Sequence, residues 1–423
     1  MGTVILFVTL GITLFIGIPV GFSLVLAVLA MLAVDPIMPV TYVAQTMYSG
    51  LDSFTLLSMP FFILAGSIME QAGISKRLVN FANSLVGNVT GGLGIVTVLA
   101  CLFFGAISGS AAATVACIGA IMIPQMVKYG YSKYYATGLV AVAGGLGLLI
   151  PPSYTMVVYG VTVGESIGDL FIAGIGPGIL VAVLLIIVNY VMCKKRGYSG
   201  SGQRFNLRNV GKQLWDAKWA LLMPVIILGG IYSGIFSATE AAVVSCVYGI
   251  IIGLFVYKQL TFKTVWTLYR KNVVFLGGMI FVFAAAKSLG AVFSYLGVSS
   301  TVSNFFTGIS TNYYVIITII IGMLFIIGMF LQTTPATVIF APVMLTVLKS
   351  VGMDPIHFGV IMTMAFALGN VTPPVAQNLF VASSMTGISM NKIVKAALPF
   401  IGVLIIAMFI IAFVPEISMF LLK

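Results

Sequence analysis

Apolar runs of about 20 residues follow one another along the whole chain, and at about 1.5 Å per residue each can cross a hydrocarbon core. A backbone inside lipid has no water to bond, so its polar groups must be paired within the chain, which an α-helix achieves locally. The expected fold class is an all-α polytopic membrane protein. Composition removes the soluble alternative: 61% of the 423 residues are hydrophobic and 7% charged, too few charges to coat a water-facing surface. Met1 leads straight into an apolar run ending near Val34, with no basic segment before it and no small-residue cleavage site. It reads as a first span and not as a removed signal peptide. The net charge of +11 does not point to nucleic acid, because the basic residues flank apolar runs without interleaved aromatics, as residues that orient spans do. Cys101, Cys117, Cys193 and Cys246 keep no metal-binding spacing and read as small core residues.

The chain also repeats itself. Pro151-Pro152 recurs as Pro373-Pro374, each pair preceded four residues earlier by a glycine, Gly147 and Gly369, at an offset of 222. With the offset held between 222 and 224, Pro177 meets Pro399, Gly130 meets Gly352, Ala113-Thr114-Val115 meets Ala336-Thr337-Val338, Gly105 meets Gly328 and Gly73 meets Gly297. A register kept over this length is a duplication. The organisation expected is an N-terminal repeat over 1–193, a basic loop and extra span over 194–236, and a C-terminal repeat over 237–423. Residues 40–52 and 261–273 are amphipathic and read as helices lying in the interface, with ordinary loops as the alternative.

Basic residues set the orientation. If 194–218, with seven Lys or Arg, is cytoplasmic, the extra span near 219–235 makes the crossings between equivalent positions odd in number, and the two repeats are inverted. Of the 20 basic residues, seventeen then fall on the cytoplasmic side, Lys349 and Lys423 outside, and Lys287 within the membrane. Trp215, Trp219 and Trp266 all lie near the cytoplasmic boundary, where an aromatic belt belongs.

Two stretches interrupt the helical pattern, Gly105 to Thr114 (GAISGSAAAT) and Gly328 to Thr337 (GMFLQTTPAT). A broken backbone at membrane depth is tolerated only where protein buries it or where it lines a polar cavity. Residues 93–127 and 314–350 thus read as re-entrant hairpins with tips at the midplane, the alternative being close helix packing by small residues. The Pro-Pro spans break as well, since proline lacks a donor and disfavours helix in the residue before it. Gly145, Gly147 and Ser153 surround one break, and Gly369, Asn370 and Thr372 the other. Carbonyl and hydroxyl oxygens there suit an alkali cation, and half-helix N-termini can face an anion. None of the nine acidic residues lies in a tip or a Pro-Pro motif, so sodium fits better than a proton relay. Ser153, Asn370, Asn378 and Lys287 are the candidate substrate contacts, although Lys287 could equally pair with an acid or snorkel. His357, following Asp354-Pro355, reads as a solvated loop residue at the outer boundary, and Ser237 with Glu240 as a capping box that starts a helix without any transport role.

Together the two tips, the two Pro-Pro spans and the run GIFSATEAA resemble the large membrane subunit of tripartite ATP-independent periplasmic (TRAP) transporters, over nearly the whole chain. One departure is Ser237-Ala238, where the family commonly has Thr-Pro; the cap remains, but the rigid proline entry is absent. The resemblance implies an ion-transporter-superfamily-like elevator of two inverted repeats in the bacterial inner membrane, driven by sodium ions at two or more sites and needing no organic cofactor. It implies sodium sites around Ser108, Ser110, Thr114 and Gly147, and around Thr333, Thr334, Thr337, Gly369 and Thr372. It also implies two protein partners, a small four-helix membrane subunit and a periplasmic substrate-binding protein, with a C4-dicarboxylate, sialic acid or another sugar acid as cargo. The wording of the chain resembles the sialic-acid branch. Other readings are a proton-coupled or uncoupled organic-anion transporter or channel and, from a different class, a membrane enzyme. No G-x-x-x-x-G-K-[ST] loop and no H-E-x-x-H occurs, which disfavours an ATPase and a metalloprotease.

Overall fold

The apolar runs form helices throughout, and among the described residues there is no strand. The computed structural model describes residues 2–200 and 205–422; Arg204 and Lys423, counted in the charge distribution above, lie outside them. The first repeat begins with α1 (Gly2–Phe15), α2 (Val20–Val34), α3 (Val40–Leu51), α4 (Ser58–Gln71) and α5 (Ile74–Val86). It continues with α6 (Gly92–Ser108), α7 (Ala111–Lys128), α8 (Lys133–Ala143), the single turn α9 (Leu146–Leu149), α10 (Tyr154–Val163) and α11 (Ile167–Arg196). The second begins with α12 (Leu207–Tyr232), α13 (Ala238–Ile251), α14 (Phe262–Tyr295) and α15 (Val298–Ile309). It closes with α16 (Tyr313–Phe330), α17 (Thr333–Ser350), α18 (Pro355–Gly369), α19 (Gln377–Thr386), α20 (Met390–Phe413) and the short α21 (Glu416–Met419). Nine helices among the described residues are long and apolar enough to cross a membrane, or ten if the bent pair 133–149 and 154–163 is one span.

Two expectations are corrected. The run up to Val34 is not one span: Gly17, at φ 88°, ends α1, and Pro19 stands before α2, so the chain folds back and Gly2 lies against Met31 and Asp35. The extra helix of the second half therefore has a counterpart, α1–α2 answering to α12–α13. Nor is 261–273 a separate interfacial helix: Thr261 caps α14 through Thr264, and 262–295 runs unbroken because no proline or left-handed residue interrupts it. The first repeat does break at this place, where Asp52 and Ser53 separate α3 from a 3-10 turn at Phe54–Leu57.

Both hairpins enter and leave on one side. At the base of the first, the Gly91 amide donates to the Tyr198 carbonyl (3.2 Å), and the Tyr131 hydroxyl donates to the Ser199 carbonyl (2.8 Å), which pins both ends to the foot of α11. At the base of the second, Tyr314 meets Phe413 edge-on at 5.5 Å between ring centroids, and Lys349 pairs with Glu165 at 3.9 Å. Tyr159, six residues before Glu165, donates to the Pro355 carbonyl (2.7 Å), and His357 bonds Ser418 just beyond α20, which closes the same end.

The two broken spans run antiparallel. Lys133 at the start of α8 donates to the Thr386 carbonyl at the end of α19 (2.8 Å), while at the opposite end Tyr159 of α10 reaches Pro355 at the start of α18. Midway, Gly145 faces Ala367, its own partner at an offset of 222, with 3.6 Å from an ideal Gly145 Cβ to the Ala367 Cβ. Equivalent residues in contact lie on the two-fold axis that relates the halves, and that axis lies across the spans because they are inverted. Packing is exchanged in pairs across it: α2 on α14 and α4 on α13, α8 on α20 and α11 on α18. Lipid gives no hydrophobic drive between helices, so close approach at small residues carries these contacts, as where Gly138 lies against the Ala397 backbone.

Candidate functional site

Each hairpin tip is docked on the broken span of its own repeat by a glycine pair. A Cβ on Gly105 would stand 2.9 Å from the Gly147 Cα, and one on Gly369 would stand 2.5 Å from the Gly328 carbonyl carbon. These are the repeat-matched glycines, so the spacing read in sequence is a backbone-to-backbone contact made twice. The Tyr154 amide donates to Gly109 O in the first repeat (3.4 Å), and the Val375 amide to Met329 O in the second (3.1 Å).

In the first tip, Gly109 turns the chain at φ 60°, and extended Ser110 caps α7 by accepting from the Ala113 amide. The Thr114 hydroxyl donates to the Ser110 carbonyl (2.8 Å) and lies 3.2 Å from the Ser108 hydroxyl. Gly147 lies directly on these atoms: a Cβ there would stand 2.5 Å from Thr114 Oγ1 and 2.6 Å from Ser110 O. Ser108, Ser110, Thr114 and Gly147 are thus brought together, with Ser108 and Thr114 buried.

The second tip repeats the motif 223 residues later, where the Thr337 hydroxyl donates to the Thr333 carbonyl (2.7 Å). Thr333, Thr334, Thr337 and Gly369 are all buried, and Gly369 contacts Gly328 on the arm leading to the tip. Thr372 is less engaged: its hydroxyl donates back to Leu368 O (2.9 Å) in its own span. Tyr154, which sequence reading missed, joins the halves: its hydroxyl lies 2.6 Å from the Thr333 hydroxyl, 179 positions away. This bond holds the N-termini of α10 and α17 side by side.

Of the candidate substrate contacts, Ser153 caps α10 by accepting from the Met156 amide (3.4 Å) and is buried. Asn370 ends α18, its carbonyl accepting from the Asn378 amide (3.0 Å). The Asn378 side chain turns away from α19 and donates to Ala141 O (3.1 Å), which leaves its buried oxygen with no partner among the described residues. The buried Thr155 hydroxyl is likewise unpartnered. Thr155 and Asn378 are the second residues of α10 and α19, so the same place behind each Pro-Pro break keeps a spare oxygen. Lys287 stands apart from this group. Its stem packs on Gly50 of α3, and it lines a cleft of about 280 Å³ between α14 and the outer half of α17, with Thr162, Val338 and Pro342.

His357 is corrected: it is 1% exposed, not solvated, with Nδ1 2.7 Å from the Ser418 hydroxyl. The C-terminal turn α21 folds over it, a contact that the local Asp-Pro pattern does not encode. Ser237 and Glu240 do form the capping box, the Ser237 amide donating to Glu240 Oε2 at 2.8 Å. All four cysteines are free thiols.

Residues 7–417 match the family described as "Tripartite ATP-independent periplasmic transporter, DctM component". The chain belongs to that family. Among curated relatives, it is 41% identical over 416 residues to the isethionate TRAP transporter permease protein DctMQ of Oleidesulfovibrio alaskensis, covering 98% of this chain and 66% of that one. It is 37% identical to the C4-dicarboxylate TRAP transporter large permease protein DctM of Pseudomonas aeruginosa, covering 89% of this chain and 88% of that one. It is also 37% identical to the sialic acid TRAP transporter large permease protein SiaM of Vibrio cholerae, covering 96% and 95%. Among solved structures, the YdaH transporter of Alcanivorax borkumensis superposes with a TM-score of 0.66 at 16% identity, covering 88% of this chain and 87% of that one. MtrF of Neisseria gonorrhoeae gives 0.60 at 12% identity over 88% and 83%. At these identities the likeness is one of fold. This TRAP large permease is a transporter component and not an enzyme, and it is a multi-pass protein of the bacterial inner membrane.

Proposed function

We propose that this permease imports a small organic anion together with sodium, by moving its two hairpins and broken spans as one body against the remaining helices. The observation that carries the reading is the pair of matched oxygen sets. Thr114 Oγ1 on Ser110 O stands against Gly147, which admits no side chain there, and Thr337 Oγ1 on Thr333 O repeats the oxygen pair in the second tip. Neutral carbonyl and hydroxyl oxygens are hard ligands that suit an alkali cation, and no carboxylate within the tips could carry a proton instead. The anion belongs between the N-termini of α10 and α17, where Tyr154 meets Thr333.

The named cargoes of the relatives, isethionate, C4-dicarboxylates and sialic acid, are all small organic acids that carry at least one carboxylate or sulfonate. Their class is the cargo proposed here. Ser153 and Asn370 would orient the acid at the two breaks, and Lys287 would draw the anion into the cleft beside the second hairpin. A small membrane subunit and a periplasmic binding protein complete the assembly; the length and name of the DctMQ relative suit a permease fused to its small subunit.

The test is uptake into proteoliposomes that hold the permease and its small subunit, supplied with binding protein loaded with each of the three acids. Accumulation under an inward sodium gradient, absent when potassium replaces sodium, is the expected outcome. Uptake that follows a proton gradient, or none, and ignores sodium would remove the reading.

A further inference from the structure

A second polar site lies far from the tips. A cleft of about 670 Å³ opens between α5, the start of α12 and the segment after α13. Lys76, Arg77 and Lys218 line it with a single acid, Asp216, so three positive charges against one negative leave the lining at +2. Among the described residues no carboxylate pairs with any of the three cations. Two of the three are held in place instead. Arg77 donates to Gly73 O (2.9 Å) and lies 3.7 Å over the Tyr257 ring, while the Lys218 ammonium lies 3.0 Å over the Trp215 ring and 5.1 Å from that of Trp219.

Position adds the second argument. The basic residues of α5 and α12 fall on the cytoplasmic side, and two of the three tryptophans in the chain lie at this cleft, the signature of the headgroup layer. Directly along α12 from Lys218, at spacings of four and seven, Leu222 and Val225 are exposed apolar residues on the same helix face. A positive pocket, an indole pair and an apolar strip descending into the bilayer are arranged in the order of a phospholipid's parts.

We propose that this cleft binds an anionic phospholipid of the phosphatidylglycerol class, its phosphate between Lys76, Arg77 and Lys218 and an acyl chain along Leu222 and Val225. An anionic lipid is favoured over a zwitterionic one because a choline or ethanolamine head would return a positive charge to a lining that is already +2. The site anchors one edge of the scaffold to the cytoplasmic leaflet.

Tryptophan fluorescence of the full chain tests this. In a Trp266→Phe background only Trp215 and Trp219 remain, so quenching by chain-brominated lipid reports this cleft. Brominated phosphatidylglycerol is expected to quench at lower mole fraction than brominated phosphatidylcholine. Lys76→Gln with Lys218→Gln should weaken the preference about fivefold per charge, whereas Lys194→Gln with Lys195→Gln, at the same boundary on α11, should leave it intact. Equal quenching by the two lipids in the unsubstituted cleft overturns the proposal without any charge variant. So does a preference that survives loss of Lys76 and Lys218, or one that vanishes when the small subunit is bound, which would make the cleft a protein-docking surface.

Discussion

Tyr154 joins the first break to the second tip through a hydroxyl pair at 2.6 Å, so its loss should be felt in both halves. Tyr154→Phe is expected to lower stability by about 1 kcal/mol, with no further loss when Thr333→Val is added; the coupling in a double-mutant cycle, read by thermal unfolding in detergent, checks this. Lys287 lies in the cleft between α14 and α17 and not at the tips, so its proposed effect is separable from that of the tip oxygens. Lys287→Met should raise the KM for the anion about tenfold and leave the sodium dependence unchanged, since a charge lining a cleft concentrates its counter-ion. A shift in sodium dependence would place Lys287 in the ion site instead. Neither Tyr154 nor Thr155 was legible in the sequence: a tyrosine after Pro-Pro-Ser looks like packing, and its partner lies 179 positions away. His357 failed for the same reason, because a distant turn supplies its burial.

At the level of elements, the hairpins and broken spans were readable because duplicated glycines and prolines mark backbone geometry directly. Gly105 with Gly147 and Gly328 with Gly369 are matched in spacing because both pairs bring backbones into contact. The paired start of the chain was not recognised, although a run of 34 residues would be about 50 Å as one helix, well beyond a hydrocarbon core of about 30 Å. Its apolar residues continue through the turn, and only Gly17 and Pro19 mark it. For α14 the error ran the other way: amphipathy over 261–273 was legible, but a change of environment along a helix is not a break in it. The glycine contacts give the prediction for this scale. Gly147→Ala would press a methyl group on Thr114 Oγ1 and the Ser110 carbonyl, so the first tip must separate from its span. Expected are a folded protein destabilised by about 1–3 kcal/mol, as overpacking costs, and uptake reduced more than tenfold; normal uptake would show that the contact has slack.

For the whole molecule, the axis through Gly145 and Ala367 relates two halves that differ in their scaffolds but agree in their tips. Inversion of this kind lets one body present the same site to either side of the membrane. The proposed movement of the hairpins past α14 would pass through the cleft that Gly290 and Pro342 both line. A permease with its four native cysteines replaced, carrying Gly290→Cys and Pro342→Cys, should stop transporting when a short reducible bifunctional reagent bridges the pair, and recover on reduction. Undiminished transport with the bridge in place would show that these surfaces do not slide.

The account depends most on two backbone interruptions holding oxygen ligands for sodium, and equilibrium binding of radioactive sodium to the purified permease measures that without transport. The wild-type protein should bind sodium at two or more sites, and Thr114→Val and Thr337→Val should each weaken one part of the isotherm by about tenfold, their double variant both. Binding that is unchanged in the double, still-folded variant would contradict the account.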